Sequence, residues 1–154
     1  IIYIASDHRG FQLKEALKNF LKAGGYTVED LGNGHLDNGD DYPDFAAKVA
    51  KILSEDYYNE RRGILICGSG AGVDIVANKF PRVRSVLAIS TDQVLMARED
   101  DDVNVLSLAA DFIEEAAAKK IVSIWLQTPF SGEAKNKRRL DKISDIEKQL
   151  KANS

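Results

Sequence analysis

A chain of 154 residues, 44% hydrophobic and 29% charged, is long enough for one domain with a buried core and too apolar to stay disordered. A net charge of −3 and a sequence pI of about 5.4 argue against a surface built for nucleic acid. A single cysteine excludes an internal disulfide and no apolar run reaches membrane-spanning length, so a reducing cytoplasm is the expected setting.

Residues 1–5 form a short apolar run, the first expected strand. The polar loop Ser6-Asp7-His8-Arg9-Gly10 follows, and these first residues have no signal-peptide pattern. Leu13, Ala16, Leu17, Phe20 and Leu21 recur at helical spacing, and Gly24-Gly25 closes that helix. Residues 26–31 read as the second strand, and 32–41 as a loop rich in Gly, Asn and Asp. Pro43 stands near the start of a helix running to about residue 53, with Phe45, Val49 and Ile52 on one face. A polar stretch, 54–62, leads to Gly63-Ile64-Leu65-Ile66, which reads as a strand buried on both faces. Cys67 ends that run, glycines follow at 68, 70 and 72, and 73–79 read as a helix.

Residues 84–89 are the fourth expected strand, and 91–98 a short helix capped by the acidic run Glu99-Asp100-Asp101-Asp102. Residues 103–108 are the fifth strand and 111–126 a long helix. A break at 128–133 carries Pro129 and Gly132. The last helix, 135–151, is strongly charged, with Leu140, Ile143, Ile146 and Leu150 on one stripe that no later element covers. Strands alternating with helices predict a single α/β domain over 1–154, a five-stranded parallel sheet with right-handed crossovers. Ligands of such folds lie beyond the carboxyl ends of the strands. That rule selects the loops at 6–9, 67–72, 90–92 and 109–111.

The stretch 63–73 is the chemical centre. Its glycine turn and helix start gather backbone N–H groups around one small volume that favours anions. It is not the dinucleotide G-x-G-x-x-G pattern, because the third glycine would fall on Val73, and no Gly-Lys-Ser/Thr makes it a Walker A loop. Cys67 and Ser69 sit at its rim, where a thiol can have a lowered pKa. Asp7, His8, Tyr42, Cys67, Ser69 and the amides of Gly68, Gly70 and Gly72 converge if the fold is right. A thiolate base beside an amide nest suits proton abstraction next to a carbonyl. Plainer roles stand beside these. Asp7 can cap the first helix, His8 can be solvated, and Tyr42 and Cys67 can simply pack. No histidine pair, cysteine cluster or H-E-x-x-H favours zinc, and the acidic run reads as a solvated loop rather than a cation site.

Ser6-Asp7-His8-Arg9-Gly10, Asp41-Tyr42-Pro43, 63–72, Ala77-Asn78-Lys79 and Asn104-Val105-Leu106 occur in one order along almost the whole chain. Together they resemble the type B ribose-5-phosphate isomerase family, which includes the subunits of galactose-6-phosphate isomerase. The resemblance implies a Rossmann-like fold, a homodimer or dimer of dimers with active sites between subunits, and no metal or organic cofactor. It implies aldose–ketose isomerisation of a sugar phosphate through an enediolate, a step of the pentose phosphate pathway, without nucleic acid or membrane partners. Cys67 then matches the catalytic base and Ser69 a residue of the same loop, while Asp7, His8 and Tyr42 match substrate contacts.

The chain departs from the family's pattern at definite points. Asp100 stands where a ring-opening histidine is usual, Asp101 where its asparagine neighbour is usual, and Asp111 where a phosphate-binding arginine is usual. Arg9 replaces a small residue and Asp74 a Met or Ser. Lys135, Arg138 and Arg139 keep the positive charge of an Arg-His-x-x-Arg motif without its histidine. The expected site is therefore Cys67, Ser69 and Asp100 for catalysis. Asp7, His8, Arg9, Tyr42, Gly68, Gly70, Gly72, Asp101, Lys135 and Arg139 are expected to bind substrate, with Arg9, Lys135 and Arg139 on the phosphate. An isomerase retuned to another sugar and a non-catalytic sugar-phosphate binder are the alternatives.

Overall fold

The computed structural model describes residues 1–55 and 60–153, so part of the expected polar stretch at 54–62 lies outside the described residues. Eleven longer elements occur in chain order: β1 (Ile2–Ser6), α1 (Phe11–Ala23), β2 (Val28–Asp30), α2 (Tyr42–Glu55), β3 (Arg62–Cys67), α3 (Ala71–Ala77), β4 (Ser85–Leu87), α4 (Thr91–Asp101), β5 (Val105–Ala109), α5 (Glu115–Gln127) and α6 (Ala134–Ala152). The strands form one parallel sheet in the order β2-β1-β3-β5-β4. Ile4 lies opposite Ile64, and Cys67 opposite Ala109.

The apolar runs of the sequence become the three central strands because helices cover both faces. Side chains alternate between the faces. Ile4, Ile64, Ile66, Leu106 and Leu108 pack with Leu17, Leu21 and Trp125 of α1 and α5. Tyr3, Leu65, Cys67 and Val105 pack with Phe45, Val49, Leu53 and Val73 of α2 and α3. Each such large side chain contributes roughly 1.5–3 kcal/mol on burial. Gly63 permits this closeness, since a Cβ there would stand 2.6 Å from Val49 Cγ1.

Strand order reverses between β1 and β3, which opens a crevice at their carboxyl ends. The loops leaving β1 and β3 face each other there. Asp7 N donates to Ile66 O, and Gly10 lies so close to Ile66 that a Cβ would stand 2.6 Å from its Cγ2.

Some element ends differ from expectation for local reasons. The edge strands β2 and β4 are shorter than expected, with partners on one side only. Gly24 does close α1, with Gly25 at φ 88°. The helix α4 absorbs most of the acidic run, and only Asp102 takes the left-handed cap, at φ 47°. Arg98 causes this. It is buried, and it donates to Asp102 Oδ1, Val103 O and Thr128 O, tying the helix end to the start of β5 and to the end of α5. The helix α5 begins at Glu115 rather than residue 111, because Ala110 N donates to Cys67 O and Asp111 N to Gly68 O. Those bonds draw 110–111 onto the glycine loop.

Candidate active site

Cys67 is the last residue of β3 and is buried, with its side chain on the face covered by α2 and α3. Each glycine after it has a close neighbour where a side chain would stand. A Cβ on Gly68 would stand 2.7 Å from Arg9 Nε and 2.8 Å from Asp111 Oδ2. Gly70 has φ 73° and would strike Leu87 and the backbone of 108–109. A Cβ on Gly72 would stand 2.5 Å from the Tyr42 ring. The loop is thus a thin strip of backbone with Arg9 and Asp111 on one side and Tyr42 on the other. Ser69 Oγ accepts from Ala71 N at 3.2 Å, which leaves its own proton free to donate. With only seven residues in α3, the loop amides rather than the helix dipole make the polar environment here.

Asp7 performs the capping role expected of it, but on a 3-10 turn at His8–Gly10 rather than on α1 itself. Its buried carboxylate accepts from Arg9 N and Gly10 N. His8 Nδ1 and His8 N both lie 2.9 Å from Asp40 Oδ1. The bond to Asp40 holds the His8 pKa above its ordinary value against the effect of burial. Asp7 adds to the rise and Arg9 opposes it. Arg9 is paired with Asp111 across the glycine loop. Tyr42 is the first residue of α2, with its ring against Gly72 and more than a third of its surface exposed. Asp7, His8, Arg9, Tyr42, Cys67, Ser69, Gly68, Gly70 and Gly72 therefore stand at the same end of the sheet.

The other expected residues stand elsewhere in the chain. Asp100 and Asp101 end α4, which leads into the amino end of β5. Arg84, just before β4, donates to Asp101 O at 3.0 Å. Cys67 lies opposite Ala109, the far end of β5. Five residues span about 15 Å at about 3.3 Å each, so one chain does not bring Asp100 or Asp101 to Cys67. Lys135 and Arg139 are exposed on the first turns of α6, and the segment before α6 is tied to α4 by Ser131 N donating to Glu99 O. Asp74 turns away from the loop to accept from Ser85 Oγ at 2.6 Å. Asp40 and Asn33 carry no signal in the sequence. They sit in a loop whose composition indicates only turns, and their partners are set by tertiary contact. Among the described residues, no group of three or more His, Cys, Asp or Glu is placed to hold a metal ion.

A family model described as Ribose/Galactose Isomerase matches residues 2–143. The chain belongs to that family. A probable ribose-5-phosphate isomerase B of Mycoplasma genitalium is 41% identical over 148 residues, covering 96% of both chains. Ribose-5-phosphate isomerase B of Escherichia coli is 33% identical, covering 96% of this chain and 97% of that one. The crystal structure of the Mycoplasma genitalium enzyme with bound ribulose-5-phosphate superimposes with a TM-score of 0.91, covering 96% of this chain and 95% of that one. The type B ribose 5-phosphate isomerase of Trypanosoma cruzi superimposes at 0.89 with 33% identity, covering 96% and 98%. The parallel sheet with its helical layers is thus the fold of the ribose/galactose isomerase family. Among the described residues, no helix is long and apolar enough to cross a membrane.

Proposed function

We propose that the chain interconverts ribose 5-phosphate and ribulose 5-phosphate through an enediolate, with Cys67 as the base. The observation that carries this reading is the placement of the chain's one cysteine at the end of β3, at the start of the glycine loop. An isomerase with ribulose-5-phosphate bound shares this fold at a TM-score of 0.91. An aldose–ketose isomerase has to remove a proton from the carbon beside a carbonyl and return it to the neighbouring carbon. The Cys67 thiolate takes the C2 proton of the open-chain aldose, and the electron pair moves toward the carbonyl oxygen. Loop amides and the Ser69 hydroxyl donate to that oxygen as charge develops. Return of the proton from Cys67 to C1, with proton exchange between the two oxygens, gives the ketose.

The exposed Arg9 guanidinium supplies cationic charge for the phosphate. Asp111 does not stand alone beside that phosphate, because Arg9 neutralises it. The pair therefore leaves no uncompensated carboxylate to repel a phosphate. Asp100, Asp101, Lys135 and Arg139 serve the site of a second copy in a dimer. The exposed Ile143, Ile146 and Leu150 of α6 supply part of its apolar contact. Asp100 accepts a hydroxyl proton during ring opening. A coupled assay over pentose and hexose phosphates, with free sugars alongside, tests the reading. Turnover confined to ribose 5-phosphate and ribulose 5-phosphate is the expected result. Turnover confined to another sugar, or none with any, overturns it.

A further inference from the structure

His8 is held more firmly than a loop histidine needs to be. Its backbone N–H donates to Asp40 Oδ1, and its ring Nδ1 meets the same oxygen, both at 2.9 Å. The Asp40 side chain is only 7% exposed, whereas that of His8 is 30% exposed. The second oxygen of Asp40 accepts from Asn33 Nδ2 at 3.0 Å. Asn33 O in turn accepts from Lys14 Nζ at 2.7 Å. Lys14 is fully buried on α1 and paired with Asp30 at 2.8 Å. A continuous chain of bonds therefore runs from the helix layer to the imidazole. Nε2 has no hydrogen-bond partner among the described residues.

We propose that Asp40 is a positioning residue for the sugar-phosphate site: its carboxylate fixes a proton on His8 Nδ1 and favours the imidazolium, whose Nε2–H donates to a phosphate oxygen of the substrate. A carboxylate beside Nδ1 requires a proton there, which settles the tautomer. The charges facing His8 are Asp40, Asp7 and Arg9. Asp40 and Asp7 favour the cation and Arg9 opposes it, and the bond to Asp40 is the largest influence. His8 thus stands next in sequence to Arg9, whose side chain lies against Gly68 of the glycine loop. Asp40 also lies two residues before Tyr42, whose ring covers Gly72. One short segment thus sets both His8 and a wall of the loop.

The inference rests on the isomerase reading, so its test has an arm that needs no turnover. Asp40→Asn keeps the shape and the acceptor but removes the charge. The chain has two histidines, His8 and His35, so His35 provides an internal reference in an imidazole proton NMR titration. The His8 midpoint should fall in Asp40→Asn and the His35 midpoint should not move. The kcat/KM profile for ribose 5-phosphate should then lose its alkaline limb at lower pH, by the same interval. The loss should be about three- to tenfold near pH 8, carried by KM, and should shrink as the pH falls. Asn33→Ala, which frees Asp40 without touching His8, should act in the same direction and less. An unmoved His8 midpoint overturns the proposal. So does a moved midpoint with an unmoved pH profile, or a loss of activity equal at every pH. If the wild type turns over no ribose 5-phosphate, the isomerase reading fails instead. Ribose 5-phosphate is then titrated against the His8 resonance, and failure to shift it at a pH where His8 is cationic overturns the proposal separately.

Discussion

The two ends of the sheet handle charge in opposite ways. At the carboxyl end, His8 and Arg9 each have a carboxylate within the chain: His8 has Asp40 and Arg9 has Asp111. At the amino end, Asp100 and Asp101 close α4, half-buried and exposed, and Lys135 and Arg139 stand exposed on α6. The first end is built by the turn after β1 and by carboxylates from distant loops, gathered at a glycine loop. The second is a display of charge on helix ends. The difference teaches that this chain's own fold gathers one set of motif residues at the glycine loop and leaves the other on helix ends away from Cys67.

The most severe way to break the carboxyl end is Cys67→Ala. A positioned general base contributes about 10²–10⁴-fold, so turnover should fall by that factor while the thermal midpoint changes little. A variant with near wild-type turnover would remove Cys67 from the mechanism. The same variant sharpens the comparison when mixed with Arg139→Ala. If a second chain completes each site, hybrid dimers carry one intact site, and equal mixing should restore about a quarter of wild-type activity. Two inactive variants that stay inactive when mixed, in a preparation shown to exchange subunits, would place both ends in one chain's site.

Next in size is a loss of stability rather than activity. Lys14→Met removes the buried ammonium that joins Asp30 and Asn33, leaving Asp30 with Lys18 and the Gly32 amide. Breaking a buried pair costs about 3–5 kcal/mol, and the remaining lysine should hold this to about 3 kcal/mol or less in chemical denaturation. Arg9→Ala should show the opposite pattern. Its pair with Asp111 is exposed, so its stability cost should stay near the roughly 0–1 kcal/mol of surface ion pairs. Its KM for phosphorylated sugars should nonetheless rise about tenfold with kcat little changed, which is about 1.4 kcal/mol of ground-state binding. An equal effect on phosphorylated and free sugars would show that Arg9 does not hold the phosphate.

The sequence carries the carboxyl end well because its signals are local. An apolar run, a cysteine, alternating glycines and a short helix lie within one stretch, and the buried β3 is their consequence. The positions of Asp7, His8, Arg9 and Tyr42 come from the rule that parallel-strand loops gather at one end. Three features are not legible there. The partnership of Asp40 with His8 spans 32 residues and passes through a loop whose composition says only that it turns. The late start of α5 depends on backbone bonds from 110–111 to the glycine loop, which no helical period reveals. The continuation of α4 through Glu99-Asp100-Asp101 runs against the sequence signal for a cap, because a run of acids at a helix end opposes the macrodipole. The buried Arg98 reverses that preference by anchoring the helix end to Asp102, Val103 and Thr128.

The smallest expected effect concerns acid, and it separates the scaffold from the site. Asp30 accepts from Lys14 and Lys18, each at 2.8 Å, and from Gly32 N. Burial pushes its pKa up, but the lysines and the Gly32 amide prevail and hold it below the ordinary carboxylate value. A carboxyl whose folded pKa is depressed stabilises the fold above its unfolded pKa of 3.8, and that stability is lost as pH falls toward and through the lower folded value. His8 runs the other way. Its raised pKa adds stability below the unfolded value of 6.5 and loses it as pH rises through the folded value. The wild type should therefore lose stability on acidification in a window around and below pH 3.8, and Asp30→Asn should flatten the slope there. Asp40→Asn should instead remove a shallow decline just above pH 6.5 while leaving the slope around Asp30 as it was. Urea midpoints across both windows read the two apart. Equal flattening of both windows by either variant would mean that the bond chain from Lys14 to His8 titrates as one unit, rather than as a buried anchor with a separately tuned histidine at its tip.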